Sequence, residues 1–231
     1  MKSIKLFVSL LLLLLLGMVS CTPVKTTTFE SYILVYRSII GEDIISFKHE
    51  ENGIIRFYID DESRTYSYFS SNSEKKEKYL ELCKKNNDIS FNKKLTYAGY
   101  PHWGGEYLAE SITSIEIISD NDFDDKHPAG TSLADIVKFN AYTAKPFIDS
   151  GYKGDVYQYN GDEVSVDDTK VWTKISKKIS ELELEDLMLL EVEFMSLEFI
   201  SMPTLKKEHN LTVKLSFENG QETIVNCQKT W

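Results

Sequence analysis

Leu211-Thr212-Val213-Lys214-Leu215-Ser216-Phe217, the turn Asn219-Gly220 and the run Thr223-Ile224-Val225-Asn226-Cys227 together read as a β-hairpin, and that reading decides the fold class. Leu211, Val213 and Leu215 alternate with Thr212, Lys214 and Ser216, the two-residue period of a strand with one face in a core. Asn-Gly is the pair that best accepts positive φ in a tight hairpin turn. A two-residue loop sets Glu218 opposite Gln221 and, counted outward, Cys227 opposite Thr212. Cys227 is then expected on the polar face, away from Leu211, Val213 and Leu215.

Strand patterns recur upstream. Tyr32 to Ile40 is a nearly continuous apolar run, as in a strand covered on both faces. Ile55, Phe57 and Ile59 share one side of a strand over 54–59, and Thr113 to Ile118 forms another. Leu190, Val192 and Phe194 alternate with Glu191 and Glu193, which predicts a half-buried strand with the glutamates in water. Three segments read as helices. The first runs over 73–87, with Ser73 as N-cap and Tyr79, Leu80, Leu82 and Cys83 as its apolar stripe. The second is short, from Ser132 to about Phe139. The third, over 168–182, places Val171, Trp172, Ile175, Ile179 and Leu182 on one face. The expected fold is α+β and β-rich: antiparallel, sandwich-like sheets with two or three helices, forming one globular domain over 29–231.

The formal charge is −10. An acidic surface excludes the phosphate neutralisation on which nucleic-acid binding rests. It equally lacks the basic patch that holds a protein to anionic lipid. The N-terminus supplies a different attachment. Lys2 and Lys5 precede an apolar run from Leu6 to Leu16, and Met18-Val19-Ser20-Cys21 follows. That is the layout of a secretory signal, too short for a comfortable membrane-spanning helix. The tetrapeptide resembles the lipobox of bacterial lipoproteins. The resemblance implies cleavage after residue 20, a diacylglycerol thioether on Cys21, and residues 21–28 as a polar tether. Loss of Lys2 and Lys5 with the signal takes the formal charge from −10 to −12. The acyl chains are then the expected membrane anchor, in a bacterial envelope, on the outer membrane, at its periplasmic or surface side. With Cys21 lipidated, Cys83 and Cys227 are the remaining thiols, and an exported compartment permits a disulfide between them.

Two segments concentrate chemistry. Asp120, Asp122 and Asp124, with His127 close behind, offer hard oxygen ligands suited to Ca²⁺. The spacing departs from an EF-hand loop, since Asp125 stands where the turn glycine belongs and Thr131 where the bidentate glutamate belongs. The alternative is a solvated loop held by Asx-turns. The stretch Tyr97-Ala98-Gly99-Tyr100-Pro101-His102-Trp103-Gly104-Gly105-Glu106-Tyr107 gathers aromatics among glycines. Tyr97, Tyr100, Trp103 and Tyr107 could stack on a sugar ring or, alternatively, plug the end of a core. His49 and His209 lie in charged, turn-like stretches and are expected at the surface. No nucleophile elbow, zinc-protease helix or phosphate loop occurs, and no catalytic residue is assigned.

Ile112-Thr113-Ser114-Ile115-Glu116-Ile117, the acidic block behind it and His127-Pro128-Ala129-Gly130-Thr131-Ser132-Leu133 resemble a block in Bacteroidetes-type lipoproteins of unknown function. The resemblance extends to the C-terminal hairpin. It implies an envelope lipoprotein and supplies no site residues. The functional expectation is a lipid-anchored, non-enzymatic binding module for a glycan or another envelope protein, with no required cofactor. The alternatives are a metal-dependent hydrolase using Asp120–His127 and a purely structural envelope subunit.

Overall fold

The computed structural model describes residues 24–41, 45–49, 53–59, 64–98, 105–153 and 172–231. Along the chain these form β1 (Val24–Phe29), β2 (Val35–Arg37), β3 (Ile45–His49), β4 (Ile54–Ile59), β5 (Thr65–Ser67), α1 (Ser73–Lys85), β6 (Lys93–Ala98), β7 (Glu106–Leu108) and β8 (Ile112–Ser119). There follow β9 (Val137–Thr143), α2 (Lys145–Asp149), β10 (Thr173–Lys178), β11 (Ser196–Phe199), β12 (Glu208–Phe217) and β13 (Glu222–Thr230). The fold is β-rich α+β, with several antiparallel sheets and two α-helices among the described residues.

A five-stranded sheet runs β10-β9-β11-β4-β3 and a three-stranded one β13-β12-β8, both antiparallel throughout. A smaller sheet, β5-β2-β7, contains the parallel pair β2–β7, and β1 pairs with β6. One apolar core draws on both larger sheets: Ile55, Phe139 and Leu197 from the first meet Ile117, Val213 and Leu215 from the second. A second core is aromatic. Phe29, Tyr32, Tyr36, Tyr79, Phe91, Tyr107, Phe147 and Tyr152 pack beneath α1 and the small sheet. Their rings meet edge-on, Tyr32–Phe147 at 5.0 Å and Tyr32–Phe91 at 5.6 Å between centroids, the arrangement favoured by opposed ring quadrupoles.

The hairpin forms, but one residue out of the expected register. Ser216 pairs with Glu222 and Leu211 with Cys227. The loop holds three residues, Glu218 to Gly220: the Phe217 N–H donates to the Gln221 carbonyl, and Gly220 adopts φ +78°. This is a type I turn closed by a left-handed glycine rather than a two-residue turn. A shift of one residue exchanges the faces of the whole strand. Thr223, Val225, Cys227 and Lys229 are therefore buried, and Ile224 is exposed.

Three further expectations are corrected. The segment 173–178 is strand β10, not a helix, and continues as a 3-10 turn over Ile179–Glu181. Ile175 and Ile179, four apart, share a face in a helix and equally in a strand, and the open edge of β9 supplies the pairing. The short helix expected from Ser132, read from its capping residues, is instead a turn leading into β9, whose Val137, Phe139 and Ala141 alternate inward. The run Val192–Phe194 is a 3-10 turn rather than a strand, so its two-residue period is lost: Glu191 is 3% exposed and Phe194 is 40% exposed.

Helix α1 is present, capped by Asn72 rather than Ser73; the Asn72 Oδ1 accepts the Lys75 N–H at 2.9 Å. Tyr79, Leu82 and Cys83 face the core while Leu80 faces solvent. The expected tether over 21–28 is shorter than its sequence, because Val24 onward is strand β1. The disulfide is not formed: Cys83 and Cys227 are buried free thiols in different cores. The lipobox with Cys21 lies outside the described residues. No helix among the described residues is long and apolar enough to cross a membrane.

Candidate binding site

Where the small sheet meets β4 and the 192–194 turn, a cavity of about 300 Å³ opens to solvent, with Arg37, Arg56, Phe57, Tyr58, Glu106 and Glu193 in its wall. Four elements bring these groups together. The parallel pairing of β2 with β7 sets Val35 against Glu106 and Arg37 against Leu108, which leaves the Arg37 guanidinium on the Glu106 carboxylate. Strand β4 supplies Arg56 and Tyr58, and Lys48 lies over the Tyr58 ring at 3.7 Å. The turn over 192–194 supplies Glu193. Guanidinium groups, carboxylates and a phenol around a cavity of this size can donate to and accept from one polar ligand.

Behind this wall is Glu191. Its N–H donates to the Tyr142 carbonyl at 2.8 Å, and it forms an isolated antiparallel bridge with Tyr107. One carboxyl oxygen, Oε2, is buried without a hydrogen-bond partner among the described residues. Burial, reinforced by Glu193 and Glu106, pushes its pKa up to about 8. Gly105 packs on this carboxyl: a Cβ there would fall within 2.9 Å of the Glu191 Cγ and closer still to the acid group.

A second buried carboxylate is structural. Asp88, fully buried, accepts the N–H groups of Tyr32 and Ile33 at 2.8 Å each and the Tyr152 hydroxyl at 2.9 Å. Desolvation still outweighs these hydrogen bonds and raises its pKa to about 6.

The acidic block is arranged as a braced loop. Asp120 accepts the Asn210 backbone N–H at 2.8 Å and its side-chain amide at 2.6 Å. Asp122 accepts the Ala129 N–H at 2.8 Å. Asp124 accepts the N–H groups of Lys126 and His127 and meets the His127 Nδ1 at 2.7 Å. The other ring nitrogen lies 3.0 Å from Asp135. Partial desolvation lowers the His127 pKa, yet the two carboxylates hold it above the ordinary imidazole value. The carboxylates diverge onto separate partners, and among the described residues no group of three or more His, Cys, Asp or Glu side chains could hold a metal ion.

Tyr107 is not a surface platform for a sugar. It is fully buried among Tyr32 and the aromatic core, with Tyr36 opposite it across the strands. Tyr97 contributes backbone to β6, while its side chain, Tyr100 and Trp103 lie outside the described residues. His209 is also corrected: it is buried, with Nδ1 2.7 Å from the Ser119 Oγ and Nε2 3.0 Å from the Lys206 carbonyl. The Nε2–H donates to that carbonyl, so Nδ1 accepts from the serine hydroxyl. That polarity superficially matches a nucleophile–base pair, but both groups are sealed from solvent.

The sequence reading singled out none of Arg37, Arg56, Tyr58, Glu106 or Asp88, and it placed Glu191 in water. Only Glu106, inside the aromatic stretch, lay close to a signal. Comparison with known proteins adds no homology: no protein-family model, no curated protein and no solved structure matches this chain.

Proposed function

We propose that this chain is a lipid-anchored protein of the bacterial cell envelope, held through Cys21 to the outer membrane, whose β-rich domain is a non-enzymatic binding module for a glycan. The cavity lined by Arg37, Arg56, Tyr58, Glu106 and Glu193 carries this reading. Sugars present adjacent hydroxyls that pair with charged side chains able to donate or accept two hydrogen bonds at once, and a phenol ring beside them covers C–H faces. Strand β7, at the end of the aromatic stretch read as either sugar-binding or core-plugging, delivers Glu106 to that cavity. The shared core of the two larger sheets supports a sandwich-like packing, which gives the cavity a rigid wall. Only Thr22 and Pro23 separate Cys21 from β1, so an acylated Cys21 would keep the cavity near the membrane.

The test is an array of immobilised bacterial and host glycans probed with the acylation-free domain at pH 6.5. A saturable glycan signal that Arg56→Ala and Tyr58→Ala each reduce at least tenfold supports the reading. A flat array, or binding indifferent to both substitutions, removes it. In cells, Cys21→Ser should move the protein out of the membrane fraction.

A further inference from the structure

Among the polar groups buried in this fold, Glu191 is distinctive because its surroundings lead outward to the cavity. Its carboxyl has one oxygen without a partner among the described residues, and Gly105 is packed directly against it. Gly105 precedes Glu106, which holds the Arg37 guanidinium in the cavity wall. On the other side, two residues along the same turn, Glu193 lines the same cavity. Glu191 therefore sits between two elements that both end in cavity carboxylates.

We infer that the protonation state of Glu191 regulates this cavity, the neutral acid packing under Gly105 and the ionised form pushing the Glu106 and Glu193 edges apart and loosening Arg37 from Glu106. The groups that act on it are Glu106 and Tyr107 on β7, Glu193 on its own turn, and Tyr142 on β9, whose carbonyl accepts the Glu191 N–H, while Arg37 on β2 and Arg56 and Tyr58 on β4 line the adjoining cavity. The two charges that act most strongly on it, Glu193 and Glu106, are both negative. Ionisation thus adds a third negative charge to those of Glu106 and Glu193, a like-charge cluster that separation relieves. The neutral acid meets only the lesser cost of an unpartnered buried oxygen. Its raised pKa of about 8 puts the change within reach of a mildly alkaline medium. The effect on ligand rests on the cavity being the binding site proposed above.

The experiment follows the Gly105 amide and the Arg37 Nε–H by NMR in the isotope-labelled domain, from pH 6 to 9.5, and repeats the glycan array at pH 6.5 and 9. A common transition near pH 8 at both resonances is expected in the wild type. It should vanish in E191Q and shift to lower pH in E193Q, where one repelling charge is gone. Any glycan bound at pH 6.5 should bind at least tenfold more weakly at pH 9, and E191Q should remove that difference. A transition that survives E191Q, or one seen at Gly105 without Arg37, overturns the inference. If every array is flat, the binding function falls while the two resonances still decide whether Glu191 controls the cavity.

Discussion

The acidic loop over 120–135 and the single buried Glu191 make opposite uses of carboxylate chemistry. In the loop, Asp120 and Asp124 accept N–H groups, and these hydrogen bonds hold both pKa values below the ordinary value, in Asp124 against some desolvation. At Glu191 no donor among the described residues reaches Oε2, and burial beside Glu193 and Glu106 drives the pKa up. The density of carboxylates in sequence marked the first region and missed the second. What distinguishes them is whether donors offset desolvation, and that balance belongs to the packed chain.

The largest way to break this contrast is pH. Glu191 titrates at about 8 in the fold against 4.5 for an ordinary glutamate. The folded state therefore binds its proton more tightly than the unfolded chain does, and ionisation favours unfolding. Its contribution to stability is full below about pH 4.5 and is lost as pH rises toward and through 8. By pH 9 the difference approaches about 5 kcal/mol, so Glu191→Gln should raise the melting temperature at pH 9 and leave it nearly unchanged at pH 4.5. A parallel pair of melting curves against pH would refute this.

Asp88→Ala tests the other buried carboxylate. It strands the N–H groups of Tyr32 and Ile33 and the Tyr152 hydroxyl, and should cost about 3 kcal/mol in urea unfolding at pH 7. Gly105→Ala comes next, at about 2 kcal/mol, because the new methyl overlaps Glu191. Adding Glu191→Ala to it should recover much of that loss, which identifies the collision as the cause. The smallest effect is in the acidic loop. Asp124→Ala should cost about 1 kcal/mol, and millimolar Ca²⁺ should leave the wild-type melting temperature unchanged. A Ca²⁺-dependent rise would restore the loop as a metal site. The Asp124–His127 contact also has its own pH window. The Asp124 contribution fades in acid as its lowered pKa is crossed, and the His127 contribution fades in alkali above its raised one.

Much of the β framework was legible. The runs read as strands at 54–59, 113–118 and 211–217 lie in strands, and the helix expected over 73–87 forms over 73–85, with its cap one residue earlier at Asn72 and Leu80 of its stripe in solvent. The failures share a cause. Apolar residues four apart, as at Ile175 and Ile179, satisfy a helix and a strand alike, and the free edge of β9 chose the strand. Leu190-Glu191-Val192 satisfies alternation, yet a 3-10 turn put the glutamate inside. The candidate site was nearly invisible because Arg37, Arg56 and Glu193 are ordinary charged residues until three separate elements bring them round one cavity.

By itself the sequence determined the class of structure and the strands with a clean two-residue period, since each depends on residues adjacent along the chain. Tertiary structure decided the rest. The turn geometry at Gly220 chose the register that buries Cys227, the pairing of β2 with β7 left Arg37 on Glu106, and the packing of Gly105 over Glu191 made a buried acid from a residue that the alternation placed in water. Burial, and the energies that follow from it, is set by neighbours distant in sequence, so no local pattern could have announced it.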